Sequence, residues 1–111
     1  MRAFWKWFAG GLALPLIGAA AIAGVAAGQP EVEWDTDRLG SDIALIELAR
    51  GQDYQACAQA CVDNRSCRSW TWVPAGSQRA EGPNCWLKDE TPEPVRNAGM
   101  VSGLRGAGAS R

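Results

Sequence analysis

Four cysteines, confined to two short pieces of a 111-residue chain, constrain its fold more than any other feature. Three lie in Cys57-Ala-Gln-Ala-Cys61-Val-Asp-Asn-Arg-Ser-Cys67, and the fourth in Cys85-Trp86-Leu87-Lys88. Cys57 and Cys61 are four apart, which on a helix puts both thiols on one face, one turn above the other. Side chains so placed run parallel and do not aim at each other, so of the three pairings that four cysteines allow, the one joining them is poor. Cys61 stands at the helix end, close enough in sequence to Cys67 for a short loop bond, and Cys57 is left to reach Cys85. Chain entropy puts such bonds at roughly 2–2.5 kcal/mol for the short loop and about 3.5 kcal/mol for the long one. That rivals what a small core supplies, so a stapled fold is expected. The rival reading is a four-thiolate zinc site, which usually needs close cysteine pairs twice; only one is present here. No metal and no cofactor are expected.

Residues 1–27 have the layout of an export segment. Met1 to Trp7 carries Arg2 and Lys6 and no acid, Phe8 to Ala27 is free of charge, and Val25-Ala26-Ala27 offers small residues for cleavage. The same stretch is long enough to span a bilayer as an inner-membrane anchor, with Trp5 and Trp7 at the interface. Pro15 and four glycines make it a mediocre permanent helix, so cleavage is the preferred expectation. Either way, residues 28–104 form a domain outside the cytoplasm, periplasmic or extracellular, and residues 105–111, rich in Gly and Ala, form a disordered tail.

Within that domain, Glu31 to Trp34 alternates like a half-buried strand, and Asp35 to Asp42 is a turn-forming loop dense in Asp, Ser and Gly. Ile43 to Leu48 is apolar enough for a strand or a helix start, and periodicity does not decide. Asp53 is an N-cap for a helix from Tyr54 to Asp63, with Tyr54, Cys57, Ala58 and Cys61 as its inner stripe and Asn64 as a left-handed stop. Strands follow at Arg68–Val73 and Asn84–Lys88, separated by a Gly- and Pro-bearing loop, and a weak closing strand at Met100–Leu104. Alternation puts Trp70 and Trp72 on one face of their strand, and Cys85 and Leu87 opposite Trp86 and Lys88 on theirs.

Composition excludes several functions. The chain has no histidine, which removes the commonest general base and most zinc sites. With Arg2 and Lys6 set aside, the remainder carries 9 basic and 12 acidic residues, a charge of −3 that argues against nucleic acid and anionic membrane surfaces. Glu81 and Glu90 make no convincing acid–base pair.

Taken together, Thr36-Asp-Arg-Leu-Gly-Ser-Asp42, Cys57-x₃-Cys61, Cys67-Arg-Ser-Trp-Thr-Trp-Val73, Pro74-Ala-Gly76, Asn84-Cys-Trp-Leu-Lys88 and Val101-Ser-Gly103 resemble the bacterial branch of the PAN/Apple domain family. The resemblance runs from Trp34 to about Leu104. It implies an α+β fold with one helix cradled by a curved antiparallel sheet and disulfides in the same nested pattern. It also implies a non-catalytic role in binding proteins or carbohydrates. Two departures stand out. Asn97-Ala98-Gly99 replaces further cysteines that many relatives carry, so the last strand is expected to be less tied down. Ile43 stands where an aromatic residue often follows the turn.

The candidate ligand residues are Trp70, Trp72, Trp86 and Lys88. Three indoles sharing the sheet face away from the helix would make an aromatic platform for a sugar ring or a partner's side chain; the alternative is a second small core under the N-terminal strand and the 74–83 loop. Asp35, Asp37 and Asp42 hint at a calcium loop, but Leu39 and Ile46 occupy ligand positions of the EF-hand pattern, so turn-capping Asp residues paired with Arg38 are expected. Arg65, Arg68, Arg79 and Lys88 read as scattered solvated charge. An exported binding module is the leading function; a membrane-anchored structural protein of the envelope is the alternative.

Overall fold

The computed structural model describes residues 30–77 and 81–109; the proposed export segment, Arg79 and the last two residues lie outside them. Five strands and one helix follow in the order β1 (Glu33–Arg38), β2 (Asp42–Glu47), α1 (Tyr54–Asp63), β3 (Ser69–Val73), β4 (Asn84–Lys88) and β5 (Pro94–Leu104). The strands form one antiparallel sheet in the order β1-β5-β3-β4-β2. This is the α+β architecture of one short helix on an antiparallel sheet.

Topology forces the sheet to curl. β1 and β2 are consecutive in sequence yet occupy opposite edges, joined only by Leu39–Ser41. Four strand spacings of about 4.8 Å would set the edges roughly 19 Å apart in a flat sheet. Four Cα steps from Arg38 to Asp42 reach at most about 15 Å. The edges therefore bend toward each other at that end. Gly40 and Ser41, both left-handed at φ 91° and 59°, make the reversal tight.

The helix forms where its signals lie. Asp53 caps it by accepting from Gln55 N at 2.9 Å, and Cys57, Ala58 and Cys61 are fully buried against the sheet. Two disulfides fix it, Cys57–Cys85 to β4 and Cys61–Cys67 to its own exit loop. Around them Trp70, Leu87 and Val101 complete the core. Tyr54 stacks on Trp70 at 6.3 Å, and Trp34 meets Tyr54 edge-on at 5.1 Å. Gly103 is required beneath this stack, since a Cβ there would lie 2.7 Å from Trp70 Cζ2.

Several expectations are corrected. The loop at 35–42 is strand as far as Arg38, because Asp35 forms a bulge at φ 50° that absorbs the break in pattern. Asn64 is extended at φ −110° and not left-handed; its side chain accepts from Ser66 N instead. β5 begins at Pro94 rather than Met100, drawn into order by pairing with β1. At Asn97-Ala98-Gly99 it bulges outward, and Gly99 N donates to Asp35 Oδ1 at 2.9 Å, a polar tie where cysteines were missed. Of the expected tail, residues 105–109 are not loose, either. Ala107 is fully buried, and the Arg105 guanidinium donates to the carbonyls of Cys61, Val62, Asn64 and Cys67 at 2.7–3.0 Å.

Candidate binding cleft

Strand alternation and register sort the four candidate residues. Trp70 pairs with Leu87 and Trp72 with Cys85, so both indoles lie on the helix side of the sheet. Trp70 is fully buried. Trp72 is half-buried, with Nε1 donating to Gln52 O at 3.3 Å. Trp86 pairs with Thr71 and Leu45 on the other side, together with Lys88. The three indoles therefore share no platform, because the residues flanking Trp70 and Trp72 are the ones the helix and its disulfide cover. Only Trp86 and Lys88 remain together on the outer face.

That face is no aromatic second core either. Ser69, Thr71, Asn84, Lys88 and Ser102 are buried there. Ser102 Oγ donates to Thr36 O at 2.8 Å, which leaves the Thr71 hydroxyl to donate to Ser102 Oγ at 2.7 Å. Ser69 Oγ donates to Glu90 O at 2.6 Å. Burial of these groups is tolerated because each hydroxyl has a partner. Among the described residues, Trp70 Nε1 and Asn84 Oδ1 are buried without one.

Under the β1–β2 turn, the curled sheet leaves a cleft of about 140 Å³ lined by Asp37, Leu39, Gly40, Asp42, Val73, Trp86 and Lys88. Leu39 is 65% exposed at its rim. Lys88 Nζ donates to Asp42 Oδ1 at 2.5 Å and to Gly40 O at 3.3 Å. This holds the ammonium in place and ties β4 to the turn. Asp37 Oδ1 accepts from Arg38 N at 2.7 Å. The expected pairing of Arg38 with turn aspartates is absent: its Nε and Nη2 bind Glu33 at 2.8 and 2.7 Å, and Nη1 donates to Pro92 O. The hydrogen bond to Glu33 raises the Arg38 pKa, outweighing desolvation by burial, so the guanidinium stays charged. Sequence reasoning missed Asp37, Asp42 and Leu39 as cleft residues, since only the curl brings the turn over Trp86.

Among the described residues, no group of three or more Cys, Asp or Glu is arranged to hold a metal, and no helix is long and apolar enough to cross a membrane. The arrangement is that of a small disulfide-stabilised α+β domain with a mixed polar and aromatic cleft on the face its helix leaves free. Residues 36–88 match the family model described as PAN domain, the family whose motifs the sequence resembles. PAN domains are in general non-catalytic modules that bind proteins or carbohydrates. No curated protein matches the chain.

Proposed function

We propose that this chain is an exported binding module, with residues 1–27 as its export signal or anchor and the domain from residue 28 onward as the working part. Its ligand, a protein or a carbohydrate, enters the cleft around Trp86. Two buried disulfides in so small a body fit an oxidising compartment outside the cytoplasm. The observation that carries the reading is the division of labour between the sheet faces. The helix side is closed by Trp70 and both disulfides, while the outer side keeps an indole and an anchored ammonium together in one concavity. A concavity that sets an aromatic wall beside a few fixed polar groups suits recognition of a ligand. The test is binding of the oxidised full chain to a glycan array and to separated envelope proteins. We expect Trp86→Ala to lose binding and Trp72→Phe to keep it. Undiminished binding by Trp86→Ala would overturn the assignment to this cleft.

A further inference from the structure

Resting on that reading of the cleft, we infer that it takes a single neutral pyranose ring and discriminates against acidic sugars. Lys88 Nζ has three N–H donors. Asp42 and Gly40 take two, and among the described residues the third has no acceptor, although the side chain is only 3% exposed and lines the cleft. A buried donor so placed calls for a ligand oxygen. On the other side Asp37 offers a carboxylate that accepts from Arg38 N and, among the described residues, from no other donor, leaving it acceptor capacity toward the cleft. Between the two, Leu39, Val73 and Trp86 supply apolar and aromatic wall. A sugar ring meets all three demands at once. Its hydroxyls donate and accept, and its C–H faces are apolar. A cationic protein side chain would satisfy Asp37 but would face the Lys88 ammonium and leave its third N–H unanswered.

Charge sets the discrimination. Asp42 neutralises Lys88, and Glu33 neutralises Arg38. Residues 31–47, which contain both strands flanking the cleft, hold six acids and one base, whereas residues 48–111 hold eight bases and six acids. The negative charge of the domain is thus gathered around the cleft, and Asp37 within it has no cationic partner among the described ion pairs. A uronate or sialic acid must bring its own charge into that field, whereas a neutral ring does not.

The test follows the Trp86 indole N–H resonance of the oxidised full chain during titration at low ionic strength. The probes are methyl α-glucoside, methyl β-galactoside and N-acetylglucosamine against glucuronic and N-acetylneuraminic acids. We expect saturable shifts in the millimolar range with at least one neutral sugar, and binding about tenfold or more weaker for both acids. Asp37→Asn keeps the acceptor for Arg38 N and should narrow the gap to within about threefold; Lys88→Met should abolish the neutral-sugar shifts. If Lys88→Met does not fold, Asp37→Asn alone decides. Equal or tighter binding of the acids by the natural chain overturns the inference, as does an unchanged gap in Asp37→Asn. If no sugar moves the resonance but lysine- or arginine-bearing peptides do, the sugar inference falls and the cleft stands as a protein site. If neither moves it, both readings fall.

Discussion

The Lys88 side chain is 3% exposed and that of its partner Asp42 is 35% exposed, so the two halves of one ion pair live in different solvents. Removing either leaves the other alone, but the consequences differ. A solitary Asp42 carboxylate can be hydrated by the water it already touches, whereas a solitary Lys88 ammonium stays buried with one carbonyl for company. Breaking a buried pair by deleting one partner costs on the order of 3–5 kcal/mol when the survivor cannot be solvated. We expect Asp42→Asn to approach about 3 kcal/mol and Lys88→Met to cost about 1–2 kcal/mol, read from urea midpoints of the oxidised chain. The opposite order would show that the ammonium reaches water more easily than its burial indicates. Neutral replacement of both should recover part of the larger loss, since no charge is then stranded.

At the scale of elements, the C-terminal segment is held by hydrogen bonds where covalent ties were missed. Arg105 gathers four carbonyls from the end of α1 and the loop that follows; those of Cys61 and Asn64 also accept from the backbone N–H groups of Asn64 and Cys67. Its charge also suits the negative end of the helix. Arg105→Ala should destabilise the domain by about 2–4 kcal/mol, since bonds from a charged donor run at about 1.5–3 kcal/mol each and water replaces some of them. Amide hydrogen exchange would then rise first at Asn64 and Cys67, whose N–H groups bond within that loop. A uniform rise across the sheet would argue against a local clasp. The helix and β4 were legible because each carries its own signal: Asp53 with a buried stripe, and an alternating run ending at Lys88. β5 was not, since Pro94 to Gly99 shows no alternation and owes its order to pairing with β1. Arg105 was invisible for a related reason. One arginine in a Gly-rich stretch looks unstructured until the four carbonyls are in place. Of the residues lining the cleft, the sequence points to Trp86 and Lys88, but as part of a three-indole platform that the sheet does not form; the residues that wall them in come from the turn 39–41 and its flanks, and only the curl of the sheet brings these near.

For the molecule as a whole, the two disulfides are unequal. Cys57–Cys85 closes a separation of 28 residues and joins helix to sheet, whereas Cys61–Cys67 closes 6. Loop entropy assigns about 3.6 kcal/mol to the first and about 2.4 kcal/mol to the second. Replacing Cys57 and Cys85 by alanine should therefore lower the urea midpoint more than replacing Cys61 and Cys67, with near-UV circular dichroism checking that each variant still packs. A larger cost for the short bridge would assign it strain relief or packing that loop length does not capture. The three-residue join between β1 and β2 has one more consequence. Because it sets how far the rim leans over the outer surface, an insertion or deletion there would widen or narrow the doorway without touching the sulfur-bonded half. The shape of the cleft and the durability of the body can then drift separately over evolutionary time, with one lineage varying the rim while keeping unchanged the half that the sulfur bonds hold.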